Sequence, residues 1–469
     1  MCVLKYIGPF LRMNTLNTDN IMNQLFHLSK ESFKNIVLNS KCGILASSKD
    51  LKLKNISNND INIIENFSPL LCIYKKGDSK LINDNETLTW SSEKLKKEIN
   101  ISNNAFMSLC LLELCEYYEQ FKNIDNKKYL YYVLYLNLCK NQLIFYASYL
   151  RNTEGVFVNK IDITDTLSED FKFENKNSKF RYSDQALLMA AFYKYSMLSN
   201  DKYSKEFRNF SLDILNMLLQ FKNELYELSF EELNKLCFAL NLFYDYSDNE
   251  DGKLLLLDLC ELLTDEYESK NTQISDERSL KEKCLTCLNL ILSFKHIDLL
   301  NINDALDKTF SNLTKMYDDN IGIFCPSYDD KKVDFSSIEI MLYFLDILSY
   351  STIKQTNEYN DIIYNVFKYQ IVNSGIILSW PEAPNLDDVE RYKDFSLKSE
   401  DLLDEINFIM PNISTPENTE LAPVFIKNIT FNRKKECFKQ GRSSFYSEPN
   451  MFIFFTILYL KNSLKNKNI

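Results

Sequence analysis

The chain has 469 residues, enough for two or three domains of ordinary size, but only 8 glycines and 9 prolines. So few helix breakers in so long a chain favour long helices over a turn-rich β fold. The net charge of −11 and the lack of a broad Lys/Arg cluster argue against a nucleic-acid partner and against attraction to anionic lipid.

Several features bear on compartment and cofactors. No run of about 18 apolar residues is present, so no membrane-spanning helix is expected. Lys5 and Pro9 interrupt the first residues, which make a poor signal peptide. The 12 cysteines are scattered, and most lie in apolar helical runs, as reduced buried cysteines do. Cys284 and Cys287 lack a second cysteine pair and a histidine at ligand spacing. We therefore expect a soluble, cytoplasmic protein with no metal ion and no cofactor.

Helical periodicity dominates the chain. It predicts twelve long helices, at residues 19–39, 103–123, 127–150, 182–199, 203–224, 229–247, 251–271, 276–297, 302–318, 334–352, 357–373 and 447–465. The first helix of each successive pair is amphipathic, as in 19–39. The second is apolar almost all round, as in 186–193 and 451–460, and such a helix must be enclosed by others. Helix 127–150 departs from this alternation, because it is apolar and Tyr-rich where an amphipathic helix is expected.

The alternation predicts an all-α (α/α)6 toroid, in which six half-exposed outer helices surround six enclosed inner ones. Helix start signals agree with it. Ser229 and Glu232 form a capping-box pattern, and Ser447 precedes Pro449 at the start of the last helix. Asp334 and Ser275 are expected to begin two further inner helices.

Four glycines form a weak internal repeat, because each follows an outer helix and precedes two apolar residues. They are Gly43, Gly155, Gly322 and Gly375, and glycine ends a helix by accepting the left-handed conformation. An outer helix, a glycine turn and an apolar inner helix, repeated about six times, resemble the six-hairpin toroid superfamily of glycosidases, polysaccharide lyases and sugar epimerases. No catalytic motif of a member is matched, so the resemblance implies the fold and a loose expectation of a carbohydrate substrate.

A single toroid domain over 1–469 leaves two long insertions, 40–101 and 374–446, on the face where the inner helices begin. Long loops in a compact domain are usually functional, and these two contain both tryptophans, Trp90 and Trp380. A small β-hairpin is expected from 70–74 and 80–83. A further strand at 424–431 is expected to pair with it in an accessory sheet.

Catalytic carboxyl groups are sought at the starts of inner helices and in the long loops, where Asp184, Glu382 and Asp329 are the candidates. At a helix N-terminus Asp184 should stay ionised, which suits a base or nucleophile. A helix cap is the alternative role. Segment 374–446 is either a lid with a Trp380 platform or a plug anchored by Trp380. The expected ligand-binding residues are Trp380, Arg181, Tyr182, Tyr328, Asp387, Asp388 and Arg391.

The chain has only two histidines, His27 and His296, and both are expected to lie away from the face where the inner helices begin. Their scarcity argues against a Ser-His-Asp triad and a His-ligated metal. It also argues against the sugar epimerases of the resembled superfamily, which use a histidine pair.

With no legible catalytic motif, the sequence favours a non-catalytic binding or scaffold protein on a glycosidase-like fold, with a carbohydrate or protein partner. The alternative is a carbohydrate-active enzyme, a glycoside hydrolase or polysaccharide lyase that uses paired carboxylates. An open α-superhelical adaptor is a third possibility, but the apolar last helix speaks against it because open arrays end in a polar cap. The sequence leaves the oligomeric state open.

Overall fold

A computed structural model describes the chain over residues 18–47, 67–84, 87–91, 94–165, 170–177, 179–271, 279–296, 300–326, 330–382, 388–391, 418 and 420–465. Twelve long helices dominate these ranges, in the predicted all-α toroid. None of the helices described there is long and apolar enough to cross a membrane.

The helices alternate between an outer and an inner layer. The outer helices are α1 (Thr18–Asn39), α3 (Asn126–Tyr149), α5 (Lys202–Gln220), α7 (Glu250–Asn271), α9 (Leu300–Thr314) and α11 (Asn360–Asn365, continued as a π-helix over Val366–Val372). The inner helices are α2 (Ile101–Glu119), α4 (Tyr182–Leu198), α6 (Phe230–Ser247), α8 (Leu280–His296), α10 (Ser337–Lys354) and α12 (Ser447–Lys465). A short helix, Lys222–Leu225, lies between α5 and α6.

The inner helices close a ring. Each packs on the next, from α2 through α4, α6, α8 and α10 to α12, and α12 packs back on α2. Outer helix α1 also packs on α12, so both ends of the described chain contribute to closure. An open superhelical array would leave its first and last helices apart, so this finding overturns the adaptor alternative.

Layer pairing differs from the predicted pairs, in which each outer helix comes first. From α2 to α10, each inner helix packs more on the outer helix that follows it than on the one before, as α2 does on α3 and α4 on α5. The last inner helix, α12, packs on outer helix α1. The physical reason is connection length. The chain turns from inner to outer helices within a few residues, at 120–125, 199–201 and 248–249, whereas the long segments lie in the outer-to-inner connections.

Burial follows the sequence pattern. Residues 186–192 of α4 and 340–348 of α10 are buried on every side, whereas outer helix α5 buries a single stripe that includes Phe207, Ile214 and Leu218. Helix α3 buries one face from Leu134 to Tyr146. Its Tyr-rich sequence therefore belongs to an outer helix, as the alternation requires.

The described strands are short, and all lie in outer-to-inner connections. They are β1 (Gly43–Leu45), β2 (Leu70–Ile73), β3 (Lys76–Asp78), β4 (Leu81–Asp84), β5 (Thr87–Trp90), β6 (Glu98–Ile99), β7 (Lys160–Asp162), β8 (Phe173–Asn175), β9 (Tyr317–Asp318), β10 (Ile323–Phe324), β11 (Lys332–Ser336), β12 (Asn428–Asn432), β13 (Cys437–Gln440) and β14 (Ser444–Tyr446).

Strand pairing joins the connections to one another. The predicted hairpin of 70–74 with 80–83 is wrong, because β2 pairs with β1, β3 with β14, and β4 with β5. The predicted strand at 424–431 corresponds to β12, which pairs with β11 and β13 instead of joining the hairpin. Further pairs are β6–β7–β8 and β9–β10. Connections that are distant in sequence therefore meet at the end of the ring where the inner helices begin.

The helix starts are confirmed in part. The Ser229 side chain accepts a hydrogen bond from the Glu232 N–H at the start of α6. Asp334, however, lies within β11, and α10 begins only at Ser337, capped by Ser336 with Glu339. Pairing with β12 extends the strand through Ser336 and delays the helix. Ser275 lies outside the described residues.

Three of the four repeat glycines adopt the left-handed conformation, with φ of +87° at Gly155, +67° at Gly322 and +75° at Gly375. Gly43 does not. Lys41 takes the left-handed position after α1, and Gly43 lies in β1, where a side chain would collide with the Cys72 carbonyl.

Candidate functional site

The end of the ring where the inner helices begin is termed the loop face. The third residues of α2, α4, α6, α8, α10 and α12 are Asn103, Asp184, Glu232, Glu282, Glu339 and Pro449. Four of these six described positions are acidic. An acid at this position usually turns back to accept the N–H of its own helix cap. A carboxyl group here that does not do so needs another explanation.

Two of the four acids serve as caps. Glu282 accepts hydrogen bonds from the Ser279 backbone N–H at 2.8 Å and from its hydroxyl at 2.7 Å. Glu339 does the same with Ser336, at 2.9 and 2.7 Å. These two carboxylates stabilise their own helix starts, and nothing further is needed to explain them.

Glu232 departs from the capping box that its sequence predicts. Ser229 accepts its backbone N–H at 3.4 Å, but the Glu232 carboxylate turns to the neighbouring inner helix. There it accepts the Ser183 N–H at 2.9 Å. Glu232 therefore links the starts of α6 and α4 and lies beside Asp184. The capping pattern accounted for this residue in the sequence, so only the adjacency of the two helices reveals it.

Asp184 is the fourth acid. It is 5% exposed and has no hydrogen bond or ion pair within the described ranges. Burial, reinforced by the charge of Glu232, raises the pKa of Asp184 to about 7, against the opposing charges of Arg181 and Lys235. The expectation that the helix N-terminus keeps Asp184 ionised is therefore wrong, because burial outweighs it. A carboxyl group with this pKa suits a general acid.

Charged side chains surround Asp184 at the surface. Arg181, at the N-cap of α4, is exposed and its side chain makes no capping bond. Glu231 pairs with Lys235 at 2.5 Å, and the charges of Arg181 and Lys235 act on Asp184. Elsewhere on the loop face, Lys281 of α8 pairs with Glu448 of α12 at 3.4 Å. Both charge signs therefore lie close to Asp184.

Tyr182 is mostly buried, and its hydroxyl donates to Glu224 at 2.5 Å. Burial and this hydrogen bond raise the pKa of Tyr182 to about 12. The Tyr182 hydroxyl is therefore bound to the connection between α5 and α6. Tyr182 and Asp184 both lie in the first turn of α4.

The tryptophans are packed into the protein. Trp380 is 4% exposed, so its ring has no open face on which a sugar ring could stack. Trp90 contacts Phe445 edge-on at 4.9 Å and donates its indole N–H to Asn35 at 2.8 Å. Both rings therefore anchor the long connections, which agrees with a plug better than with an aromatic platform.

Glu382 and Asp388 contact the outer helices α1 and α3, which form the part of the outer layer here termed the outer wall. The Glu382 carbonyl accepts a hydrogen bond from His27 Nε2 at 2.7 Å, and Asp388 pairs with Lys128 at 3.0 Å. The structure thus does not bring them to Asp184. His27 thus contacts the 374–446 segment on the outer wall, away from Asp184. Asp329, Tyr328 and Asp387 lie outside the described residues, as does the side chain of Arg391.

In the described part of the chain, one group of three side chains has ligand atoms within 4.8 Å of one another, namely His27, Glu31 and Glu390. The buried ammonium of Lys30 pairs with Glu390 and, at 3.1 Å, with Glu31. Although burial opposes it, Lys30 holds the pKa of Glu31 at about 2. Because Lys30, Lys34 and Lys128 already pair with the two acids, this cluster is an ion-pair network that fastens 388–391 to the outer wall.

Comparison with known proteins supports the fold. No family model matches the chain, and no curated protein matches its sequence. A D-mannose isomerase aligns over 95% of this chain and 99% of its own, at 9% identity and a TM-score of 0.50. A GH76 α-mannanase from Bacteroides thetaiotaomicron covers 96% and 100%, at 8% and 0.47. Cellobiose 2-epimerase from Spirochaeta thermophila covers 83% and 91%, at 8% and 0.46. The chain has the six-hairpin (α/α)6 toroid fold.

Proposed function

We propose that this protein is a carbohydrate-active enzyme that hydrolyses glycosidic bonds at the loop face, with Asp184 as the proton donor. One observation carries the proposal: Asp184 is a buried, unpaired carboxyl group whose pKa is raised to about 7 beside Glu232. Two carboxyl groups with different environments are the basic requirement of glycoside hydrolysis.

The same observation weighs against a non-catalytic scaffold, which needs every loop-face carboxylate to be paired or exposed. A rise from the ordinary aspartate pKa of about 3.9 to about 7 corresponds to roughly 4 kcal/mol of lost stability at neutral pH. An asparagine would remove that cost without changing the shape of the side chain. Costly polar groups of this kind concentrate at functional sites.

A carbohydrate substrate is supported from outside the chain as well. The solved structure that shares this fold at a TM-score of 0.50 is a sugar isomerase. The mixed charges of Arg181, Glu231 and Lys235 around Asp184 suit a neutral, hydroxyl-rich ligand, because hydroxyl groups both donate and accept hydrogen bonds.

The proposed reaction uses Asp184 as the group that donates a proton and a second carboxyl group as the one that accepts a proton. The Asp184 carboxyl group donates its proton to the glycosidic oxygen as the bond from that oxygen to the anomeric carbon breaks. Water adds to the anomeric carbon, and a carboxylate accepts the proton that the water loses. Glu232 is the candidate for that carboxylate, and its charge raises the pKa of Asp184.

The test is cleavage of neutral and acidic oligosaccharides, followed by mass spectrometry of the products. Asp184→Asn should lower the rate by about 100-fold or more, the usual contribution of a general acid. Glu282→Gln is the matched control, because Glu282 occupies the same position in α8 but caps its own helix. Binding of a glycan without cleavage by the wild type would favour a non-catalytic binding protein, and equal rates in wild type and Asp184→Asn would overturn the assignment.

A further inference from the structure

At the end of the ring opposite the loop face, five inner helices end around a cavity of about 260 Å³, here termed the distal cavity. Its walls include Glu113 and Glu116 of α2, Lys194 of α4, Asp245 of α6 and Lys295 of α8, with α12 closing the fifth side. The cavity has room for one small molecule and lies at the far end of the helices from Asp184, so it is independent of the proposed function.

Two of the three acids in the distal cavity are fully engaged. Glu113 accepts hydrogen bonds from the Tyr246 hydroxyl and the Asn462 amide, each at 2.8 Å. Asp245 contacts Lys295 at 2.7 Å, His296 at 2.8 Å and the Tyr459 hydroxyl at 3.1 Å. Neither carboxylate has capacity for a strong new partner without breaking this network.

Glu116 is different. Its one ion pair in the described chain is with Lys194, at 2.6 Å, and 37% of its side chain is exposed. Lys194 is shared, because it also lies 3.7 Å from Glu113. Burial, and then the charge of Glu113, raise the pKa of Glu116. Lys194 occupies one oxygen of the Glu116 carboxyl group, and the second oxygen has no partner in the described chain. A cation bound at that oxygen would offset the repulsion between Glu116 and Glu113.

The charge balance of the distal cavity has a definite sign. Three carboxylates face two lysines, and His296 adds a positive charge only when it is protonated. The carboxyl-terminal ends of five inner helices converge here, and each contributes a partial negative charge. Tyr246 adds an aromatic face that already attracts a cation, since the Lys194 ammonium lies 4.4 Å from its ring centroid.

We infer that the distal cavity binds a small organic cation, a protonated amine that carries hydroxyl groups, with Glu116 accepting its ammonium group. Lys295 donates to the Ser463 oxygen, but the Ser463 hydroxyl can still donate its own proton to a ligand hydroxyl group. The Asn462 side-chain N–H groups are used by Glu113, but its carbonyl oxygen can still accept. A metal ion is disfavoured in this cavity because the ammonium groups of Lys194 and Lys295 already pair with the carboxylates that would have to bind it. Within the described ranges, no three metal-ligating side chains converge in this cavity.

Three ligands with one ring shape test the charge requirement by titration calorimetry at low ionic strength. Glucosamine has the ammonium group, N-acetylglucosamine has it neutralised, and glucose lacks it. Glucosamine should bind about tenfold more tightly than either, since a hydrogen bond to a charged group contributes roughly 1.5 kcal/mol or more. Binding should weaken with added salt. Equal binding of the three sugars, or no binding of glucosamine, would overturn the proposal.

Variants locate the site. Glu116→Gln should weaken glucosamine binding by about tenfold and leave N-acetylglucosamine unchanged. Glu119→Gln is the matched control, because Glu119 is exposed on the same helix outside the cavity. Met197→Trp leaves the charges intact and fills the cavity with a larger side chain, so it should also abolish binding. Full binding by both Glu116→Gln and Met197→Trp would place the ligand elsewhere and refute the inference.

Discussion

Asp184 and Glu232 occupy the same position, the third residue, in two adjacent inner helices, yet their carboxyl groups have opposite surroundings. Glu232 accepts the Ser183 N–H at 2.9 Å, whereas Asp184 has no hydrogen-bond partner in the described chain. The charge of Glu232 helps to raise the pKa of Asp184 to about 7. Two carboxyl groups at equivalent positions in the ring therefore lie in different chemical environments.

The first prediction is that Asp184→Asn stabilises the fold while it removes activity. In the unfolded chain Asp184 ionises near pH 4, whereas in the fold it keeps its proton until about pH 7. The folded state therefore holds more protons between these limits, and the free energy of unfolding falls as pH rises through them. Above pH 7 the cost is constant, at about 4 kcal/mol. The asparagine variant lacks it.

Urea denaturation at pH 4, 6 and 8 measures this effect. The stability advantage of Asp184→Asn should be near zero at pH 4, grow at pH 6 and reach its maximum at pH 8. Glu282→Gln should show no such pH-dependent gain, because glutamine can also accept the Ser279 hydrogen bonds and only the carboxylate charge at the helix start is lost. A pH-independent difference between Asp184→Asn and wild type would contradict the raised pKa.

The second prediction concerns Glu232→Gln. Glutamine keeps an oxygen that accepts the Ser183 N–H, so the link between α4 and α6 should survive. The negative charge is lost, so the pKa of Asp184 should fall, by about one unit for a near neighbour. Because Glu232 is also the proposed base, turnover should fall by about 100-fold or more, so the pKa of Asp184 has to be followed without turnover.

Carbon-13 NMR of the labelled Asp184 carboxyl group measures the same pKa without substrate. Glu231→Gln is the control, because Glu231 is next in sequence but pairs with Lys235 and points to solvent. Identical titrations of Asp184 in wild type and Glu232→Gln would show that burial alone sets the pKa.

The sequence predicts the toroid well because helical periodicity is local. Helix α4 was expected at 182–199 and spans Tyr182–Leu198. Strand partners were missed because they join distant connections, as when Gly77 pairs with Phe445. In the candidate site, the sequence places Asp184 at a helix start, as the structure does. The sequence does not predict its protonation state, since burial and the approach of Glu232 depend on how α4 and α6 pack.

The third prediction addresses the ion-pair network on the outer wall. Lys30 and Glu390 are 1% and 3% exposed and form an ion pair. Glu390→Gln leaves the buried Lys30 charge with Glu31 alone, and breaking such a pair costs about 3–5 kcal/mol. Asp388→Asn removes a partly exposed partner of Lys128 and should cost about 1 kcal/mol or less.

Urea denaturation of the two variants, with limited proteolysis around 388–391, tests this network. A large loss of stability in Glu390→Gln alone, with faster cleavage at this segment, would support the buried pair as its anchor. Equal and small losses in both variants would show that apolar packing holds the segment instead.

The last prediction separates two repeat glycines that the sequence treats alike. Gly155 has φ of +87° in an open turn, where alanine meets mainly the movable Arg151 side chain. Gly155→Ala should cost about 1–2 kcal/mol, the penalty for a left-handed non-glycine residue. Gly43 does not have this conformation, but its β-carbon would collide with the Cys72 backbone carbonyl. Because β1 and β2 must separate to admit a methyl group, Gly43→Ala should cost more, at about 3 kcal/mol.

Thermal unfolding ranks the two variants, and hydrogen exchange at the Ile44 and Cys72 amides should rise in Gly43→Ala alone. If Gly155→Ala were the more damaging change, close backbone packing of β1 against β2 would not be what requires glycine at position 43.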